Sequence, residues 1–460
     1  MAMVFKSFYT DGIAQLSYLV GDDAAGVAAI VDPRRDVDIY VEEAAARGLR
    51  LAYAVETHIH ADFASGSHEL AARTGAEIVG GDGDYGFPLR RLRNGEELRL
   101  GELTLHAIHT PGHTPEHVTL ALSARKQGKA PFGAFTGDTL FNLDVGRPDL
   151  LGNDLERRLA GELYDSLFEK VLPMGNGTAV WPGHGAGSAC GKSLGDLLAS
   201  TVGHERAVNP ALEPRGREAF TSWLLEGMPE PPRHYARLKR INAAGAPVRG
   251  VVPVPPPMKP DAFEKAMREG AVAIDTRSML AFGGGHVPGA LNIGIGKEFP
   301  TWLGWMVEHG TPIVLVAEGP EQALEAATHA FRLGYDTVLG WLGQGLTAWQ
   351  NAAKPLRHVD QWTVQALDDR RANPGLQILD VRSPEEFEAG HVPGAQNIYV
   401  PHLSERSGEL DPDRPVVTYC GTGYRASIGA SVLAAAGFGQ VFNTPGSWTA
   451  WKHAELPVER

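Results

Sequence analysis

The chain has 460 residues, 43% hydrophobic and 21% charged, too much sequence for one ordinary core and enough for a soluble protein of several domains. A formal charge of −13 offers no phosphate-neutralising surface, which excludes nucleic acid and anionic membrane as expected partners. The first twelve residues carry three aromatics, a Lys and an Asp instead of an apolar leader core. No apolar run of about eighteen residues follows, and the only cysteines, Cys190 and Cys420, leave no disulfide framework, so a cytoplasmic setting is expected.

In chain order, Ala28-Ala-Ile-Val31 and Leu51-Ala-Tyr-Ala-Val55 are short apolar runs ending at polar residues and predict strands. Val37 to Arg47 has helical spacing between them, so the N-terminal half reads as α/β. Directly after the second strand comes Thr57-His58-Ile-His60-Ala-Asp62-Phe63. Alternate residues at a strand end project the same way, which lets His58, His60 and Asp62 converge. Thr110-Pro-Gly-His113-Thr-Pro-Glu-His117, Thr136-Gly-Asp138-Thr and Trp181-Pro-Gly-His184-Gly add further ligand-type side chains at glycine-marked loops. Seven of the seventeen histidines fall between His58 and His117, and four such loops predict a metal site. Singly, His68, His106, His109 and His117 read as surface or packing histidines. Cys190, six residues after His184, reads as a pocket-mouth group or a buried inert thiol.

Val251-Val-Pro-Val-Pro-Pro-Pro257 has too many prolines for helix or central strand and marks a stiff linker, with a boundary near residue 255. Beyond it the sequence repeats. Asp275-Thr-Arg277-Ser and Gly285-His286-Val-Pro-Gly-Ala-Leu-Asn292 return as Asp380-Val-Arg-Ser and Gly390-His-Val-Pro-Gly-Ala-Gln-Asn397, and each copy ends in Thr-Ala-Trp, at Trp349 and Trp451. Leu376 to Leu379 and Val416 to Tyr419 read as strands, and Ala426 to Gly437 as a helix closed by its glycine. Both repeats should therefore be parallel sheets flanked by helices.

Tyr419-Cys420-Gly421-Thr422-Gly423-Tyr424-Arg425 is a strand end, a glycine-bearing loop and a helix start. Backbone N–H groups pointed at the sulfur favour its thiolate, and Arg425 adds a positive charge able to hold an anion such as sulfite. In the first repeat Ala317 stands opposite Cys420 and Gln322 opposite Arg425, which removes both nucleophile and cation. That copy reads as scaffold, with Asp275, Arg277 and His286 as fold-supporting residues.

The four histidine and aspartate loops resemble the metallo-β-lactamase superfamily over roughly residues 3 to 245. The resemblance implies an αββα sandwich with a metal at one edge. The usual first motif there is His-x-His-x-Asp-His; Phe63 replaces its last residue, which argues for one metal. The set looks most like the persulfide dioxygenases, and carried over by motif it implies one Fe(II) per chain on His58, His113 and Asp138, with three coordination positions open. His60, Asp62 and His184 would then be supporting groups or additional metal ligands. Arg147, in Gly146-Arg-Pro-Asp149, would meet a substrate carboxylate or buttress the site.

Residues 358 to 460 resemble rhodanese sulfurtransferases. The Cys420–Arg425 loop is one residue shorter than the Cys-x5-Arg phosphatase loop, which favours sulfur over phosphate. The expected layout is a dioxygenase domain over 1–250, a degenerate rhodanese over 258–355 and an active one over 358–460. The expected partners are a small-molecule persulfide, dioxygen and sulfite, with a homodimer compatible with the family. The alternatives are a zinc thioesterase of the glyoxalase II type fused to a sulfurtransferase, and a sulfur-carrier protein with a vestigial first half. Lys239 and Arg240 are basic candidates for the pocket entrance.

Overall fold

The computed structural model describes residues 3–128, 130–213 and 215–460. It divides into two units: one ends at Val252 and takes in Phe331–Gly334, the other covers Pro253–Ala330 and Tyr335–Arg460. Among the described residues no helix is long and apolar enough to cross a membrane.

The first unit is built on two six-stranded sheets. One contains β1 (Met3–Thr10), β2 (Gln15–Asp22), β3 (Val27–Val31), β4 (Arg50–Glu56), β5 (Glu77–Gly81) and β6 (Arg90–Leu92) in chain order, antiparallel up to β3 and parallel from there. The other contains β7 (Glu97–Leu100), β8 (Leu103–His109), β9 (Val118–Ala124), β10 (Gly133–Gly137), β11 (Ala179–Pro182) and β12 (Ser200–Thr201), antiparallel except for the β10–β11 pair. Alternation along the strands sends Leu16, Tyr18, Val20, Val31 and Val55 of the first sheet against Leu98, Leu105, Leu120, Leu122 and Phe135 of the second. Each such fully buried side chain contributes about 1.5–3 kcal/mol.

The opposite face of the first sheet packs Leu19, Ile30 and Ala54 on Tyr40 and Ala44 of the helix Asp38–Ala46 and Leu70 of the helix Ser67–Thr74. Helices Asn153–Ser166 and Arg217–Leu225 meet Val180 of β11 through Leu163, Phe220 and Leu224. This is the αββα sandwich. The loops that follow β4, β8, β10 and β11 carry the four motifs.

The second unit holds two five-stranded parallel sheets. In the first, β13 (Pro257–Met258), β14 (Val272–Asp275), β15 (Leu291–Asn292), β16 (Ile313–Val316) and β17 (Val338–Leu342) take the order β13-β17-β16-β14-β15. In the second, β18 (Asp360–Gln361), β19 (Gln377–Asp380), β20 (Gln396–Asn397), β21 (Val416–Tyr419) and β22 (Val441–Asn443) take the equivalent order β18-β22-β21-β19-β20. The proline-rich stretch ends in β13, at a sheet edge, where proline's missing donor costs no ladder bond.

The repeated sequence is explained bond for bond. Arg277 reaches Asp275 and the Gly285 carbonyl (2.9 Å), as Arg382 reaches Asp380 and the Gly390 carbonyl (2.8 Å). Asn292 donates to the carbonyls of Asp275 and Arg277, and Asn397 to those of Asp380 and Arg382. Trp349 Nε1 donates to the Pro355 carbonyl and Trp451 Nε1 to that of Pro457, both at 2.8 Å. The helix expected from Ala426 begins earlier, at Tyr424, because Gly423 at φ 114° turns the chain directly into it, and it ends at Ala435 ahead of Gly437 at φ 94°.

Candidate metal centre and cysteine loop

β3 and β4 are parallel neighbours, so the residues just past their ends meet. Asp32 accepts from Thr57 N (2.7 Å) and Thr57 Oγ1 (2.8 Å). With its proton committed to Asp32, Thr57 Oγ1 accepts from His58 Nδ1 (2.9 Å), which leaves the lone pair on His58 Nε2. His113 is set the same way: its Nδ1 donates to the Arg147 carbonyl (2.8 Å), freeing Nε2. Burial and the neighbouring His60 and His113 hold His58 well below the ordinary imidazole pKa, and burial holds His113 below it. Both rings are thus held neutral, each with a lone pair on Nε2.

Asp138 follows β10. His117 Nε2 accepts from its backbone N–H (3.0 Å), and His184 Nδ1 bonds its Oδ1 (2.8 Å). Oδ2 lies 3.6 Å from His58 Nε2 and 3.5 Å from His113 Nε2. These three atoms are buried and have no hydrogen-bond partner. Three converging ligand atoms left unsatisfied in a dry interior fit a single metal ion on a two-His-one-carboxylate face.

His184 lies between two carboxylates, with Nε2 2.8 Å from Asp62 Oδ2. Burial disfavours its charge, but Asp138 and Asp62 outweigh that and push its pKa up to about 10. His60 does not join this pair. Its Nε2 sits 3.1 Å from Asp32 and 3.4 Å from Glu56, and its ring packs on Phe63 at 4.5 Å. The sequence reading had grouped His60 with Asp62 and His184; two buried carboxylates draw it to the other side. Phe63 is fully buried, and Asn242 holds its carbonyl (2.7 Å) and that of His60 (2.8 Å).

Arg147 is tied into the protein in the way the buttressing reading expects. Its guanidinium is fully buried and makes two 2.7 Å bonds to Asp149 and one each to the Ala189 and Pro229 carbonyls, so that all three nitrogens are engaged. Cys190 is packed among Ala61, Phe141 and Tyr235, and burial, then the charges of Asp62 and Asp138, raise its thiol pKa well above normal. His106 bonds Ser123, His109 bonds the Pro115 carbonyl, and His68 packs on Phe87. His117 is a packing histidine that also orients Asp138. Sequence reasoning passed over Asp32, Glu56, Thr57 and Asn242. For Asp32 a signal was available, since it is the polar residue directly after the predicted strand Ala28–Val31.

In the second unit Cys420 follows β21 and is buried, with Gly423 N donating to its Sγ (3.1 Å). The loop is pinned from behind: the carbonyls of Cys420, Gly421 and Thr422 accept from Trp448, Thr449 and Gly446, each at 2.9 Å. Tyr424 Oη donates to the Gly294 carbonyl (2.6 Å) of the first repeat. Arg425 is not a free cation, because both terminal nitrogens bond Glu386 (2.5 and 2.8 Å). In the first repeat Ala317 occupies the cysteine position. There Gln322 Oε1 closes the loop by accepting from Glu318 N (2.7 Å) and Thr276 Oγ1 (3.1 Å).

Comparison with known proteins agrees with this division. A family model described as the metallo-beta-lactamase superfamily matches residues 10–184, and one described as a rhodanese-like domain matches 259–352 and 363–454. A mitochondrial persulfide dioxygenase of Bos taurus is 32% identical over 207 residues, covering 43% of this chain and 70% of that protein. The chain belongs to the metallo-β-lactamase superfamily. This superfamily member carries two rhodanese-like domains behind its first domain. A hydroxyacylglutathione hydrolase of Methylococcus capsulatus is 31% identical over 46% of this chain and 88% of that protein. A crystal structure of a metallo-beta-lactamase from Staphylococcus aureus superposes with a TM-score of 0.67 at 33% identity, covering 74% of this chain and 98% of that one.

Proposed function

We propose that the first unit is a mononuclear non-haem Fe(II) persulfide dioxygenase and that Cys420 is the nucleophile of a coupled sulfurtransferase. The observation that carries this reading is the set of three unsatisfied ligand atoms on His58, His113 and Asp138, with Phe63 where a second metal's histidine would stand. Relatives named persulfide dioxygenase support it.

When bound, iron would supply the redox chemistry between dioxygen and sulfur. The protein's part is to hold the ligands. Thr57 and the Arg147 carbonyl fix the two histidine tautomers, and His184, itself held by Asp62, fixes Asp138 so that only Oδ2 faces the ion. The overall reaction converts the persulfide anion, dioxygen and water to the thiol, sulfite and a proton; sulfur loses the four electrons that dioxygen gains. At the second site the Cys420 thiolate attacks the terminal sulfur of another persulfide and releases its thiol. Sulfite then takes that sulfur from the cysteine persulfide as thiosulfate and regenerates the thiolate. Two free, buried cysteines accord with a reducing cytoplasm.

The test is metal content of anaerobically purified protein together with oxygen uptake on glutathione persulfide. About one iron per chain, uptake abolished by His113→Ala, and sulfite in place of thiosulfate from Cys420→Ser are the expected results. Two zincs with thioester cleavage and no uptake would replace the reading with the hydrolase that the Methylococcus relative's name suggests.

A further inference from the structure

The inward face of the helix Arg233–Ala244 lies along the metal loop. Near its end Asn242 clamps the carbonyls of His60 and Phe63 and accepts from Ser65 N (2.9 Å). Two turns earlier Tyr235 packs against Ala61, Phe141 and Cys190. Lys239 stands between them, four residues after one and three before the other, so helical periodicity directs all three toward the same region.

The Lys239 Nζ is shut off from solvent and has no hydrogen-bond partner. Burial holds its pKa below the ordinary lysine value against the pull of Glu116, and its own charge bears on His113. Glu116 already spends Oε1 on the Ile59 N–H (2.8 Å). Thr114 Oγ1, Tyr85 Oη and Asp62 Oδ1 are likewise buried and unpartnered. A lysine on a flexible four-carbon stem ordinarily turns its head to water, and an ammonium held in a dry interior without a partner is destabilising. A polar head kept unpartnered on the helix that clamps the metal loop leaves a donor for a group that arrives from outside.

We propose that Lys239 recognises the negative charge on the reacting sulfur, first as the persulfide anion and then as the sulfur oxyanion formed from it. This assignment rests on the persulfide reading of the metal centre. The position argues for the reacting sulfur over a carboxylate of the carrier thiol: the helix that carries Lys239 is clamped by Asn242 to the loop following His58, whereas the carboxylates of a carrier such as glutathione lie several bonds from its sulfur.

The test compares Lys239→Met and Lys239→Arg with the parent in the iron-loaded full chain, on a Cys420→Ser background so that the second site is silent. Anaerobic calorimetry with sulfite should show affinity weakened by about tenfold or more in Lys239→Met and kept within about threefold in Lys239→Arg. KM should rise alike for glutathione persulfide and for cysteamine persulfide, which has no carboxylate. Lys239→Met should keep its iron and melt no lower than the parent, because an unpaired buried charge has been removed. Unchanged sulfite affinity and KM would overturn the proposal. A KM rise confined to glutathione persulfide would move the contact to the carrier and overturn the assignment to sulfur. A lower melting temperature with lost iron would make Lys239 structural. If the parent takes up no oxygen with either persulfide, the functional reading fails separately, and the sulfite arm still decides whether Lys239 serves an anion site.

Discussion

Asn242→Ala would strike the clamp on the metal loop. The side chain donates to the His60 and Phe63 carbonyls at 2.8 and 2.7 Å and accepts from Ser65 N at 2.9 Å, all buried. Truncation leaves two carbonyls and one N–H without partners, and each buried unsatisfied group costs about 1–3 kcal/mol. The vacated volume admits a water that recovers part of this, so a loss of about 3–5 kcal/mol is expected. The cost falls locally, on the segment that presents His58. Amide hydrogen exchange of a peptide covering residues 57–65 should report it, and metal affinity measured by chelator competition should fall about 10–100-fold. Protection and metal affinity both within about twofold of the parent would refute the reasoning, because three simultaneous orphans cannot be free of cost.

Arg147→Met removes the buried partner of a half-buried Asp149, which should cost about 1–3 kcal/mol and loosen the carbonyl under His113. In protein reloaded with metal, its KM for persulfide should match the parent; a raised KM at normal stability would make Arg147 a substrate contact after all. Glu386→Gln removes the carboxylate that neutralises Arg425 and should lower the sulfurtransferase KM for sulfite by about threefold to tenfold, with an unchanged KM counting against any anion role for Arg425. His286, buried and stacked on Phe282, has its pKa lowered to about 4 by burial. The unfolded chain therefore binds the proton first as pH falls. Stability from the neutral ring is complete above pH about 6.5 and is lost toward pH 4, about 3 kcal/mol in all. Denaturant titrations of parent and His286→Gln at pH 7.5 and 4.5 should show the pH dependence shrinking in the variant; an equal dependence in both would exclude His286 as its source.

Much of this was legible in the sequence because it was local. The strands before His58 and Cys420 stand out as short apolar runs, and the repeat from Asp275 and Asp380 is regular enough to give two parallel sheets. His58, His113 and Asp138 were legible as ligand types on glycine-marked loops. What escaped depends on pairs distant in the chain. Asp32 and Glu56 turn His60 from Asp62 only because β3 and β4 lie side by side, and no spacing around His60 encodes that. Arg425 was read as a free charge because its counter-ion, Glu386, lies 39 residues earlier on another helix. For Arg147 the sequence leaves substrate contact and buttress both open, because the groups its guanidinium bonds include carbonyls 42 and 82 residues away.

The two rhodanese-like domains share their internal bonds, yet only one has a cysteine in the loop after its central strand. The Asp–Arg–Gly tie, the asparagine that bridges two carbonyls and the tryptophan anchored on a proline carbonyl use none of the side chains of the loop where Cys420 and Ala317 differ. Folding and chemistry are therefore written in separate residues, and substitution can erase one while leaving the other whole. Similarity across such a domain is earned by the framework and carries no information about turnover. The identity of the single residue that ends the central strand has to be read before any rhodanese-like domain is counted as an enzyme.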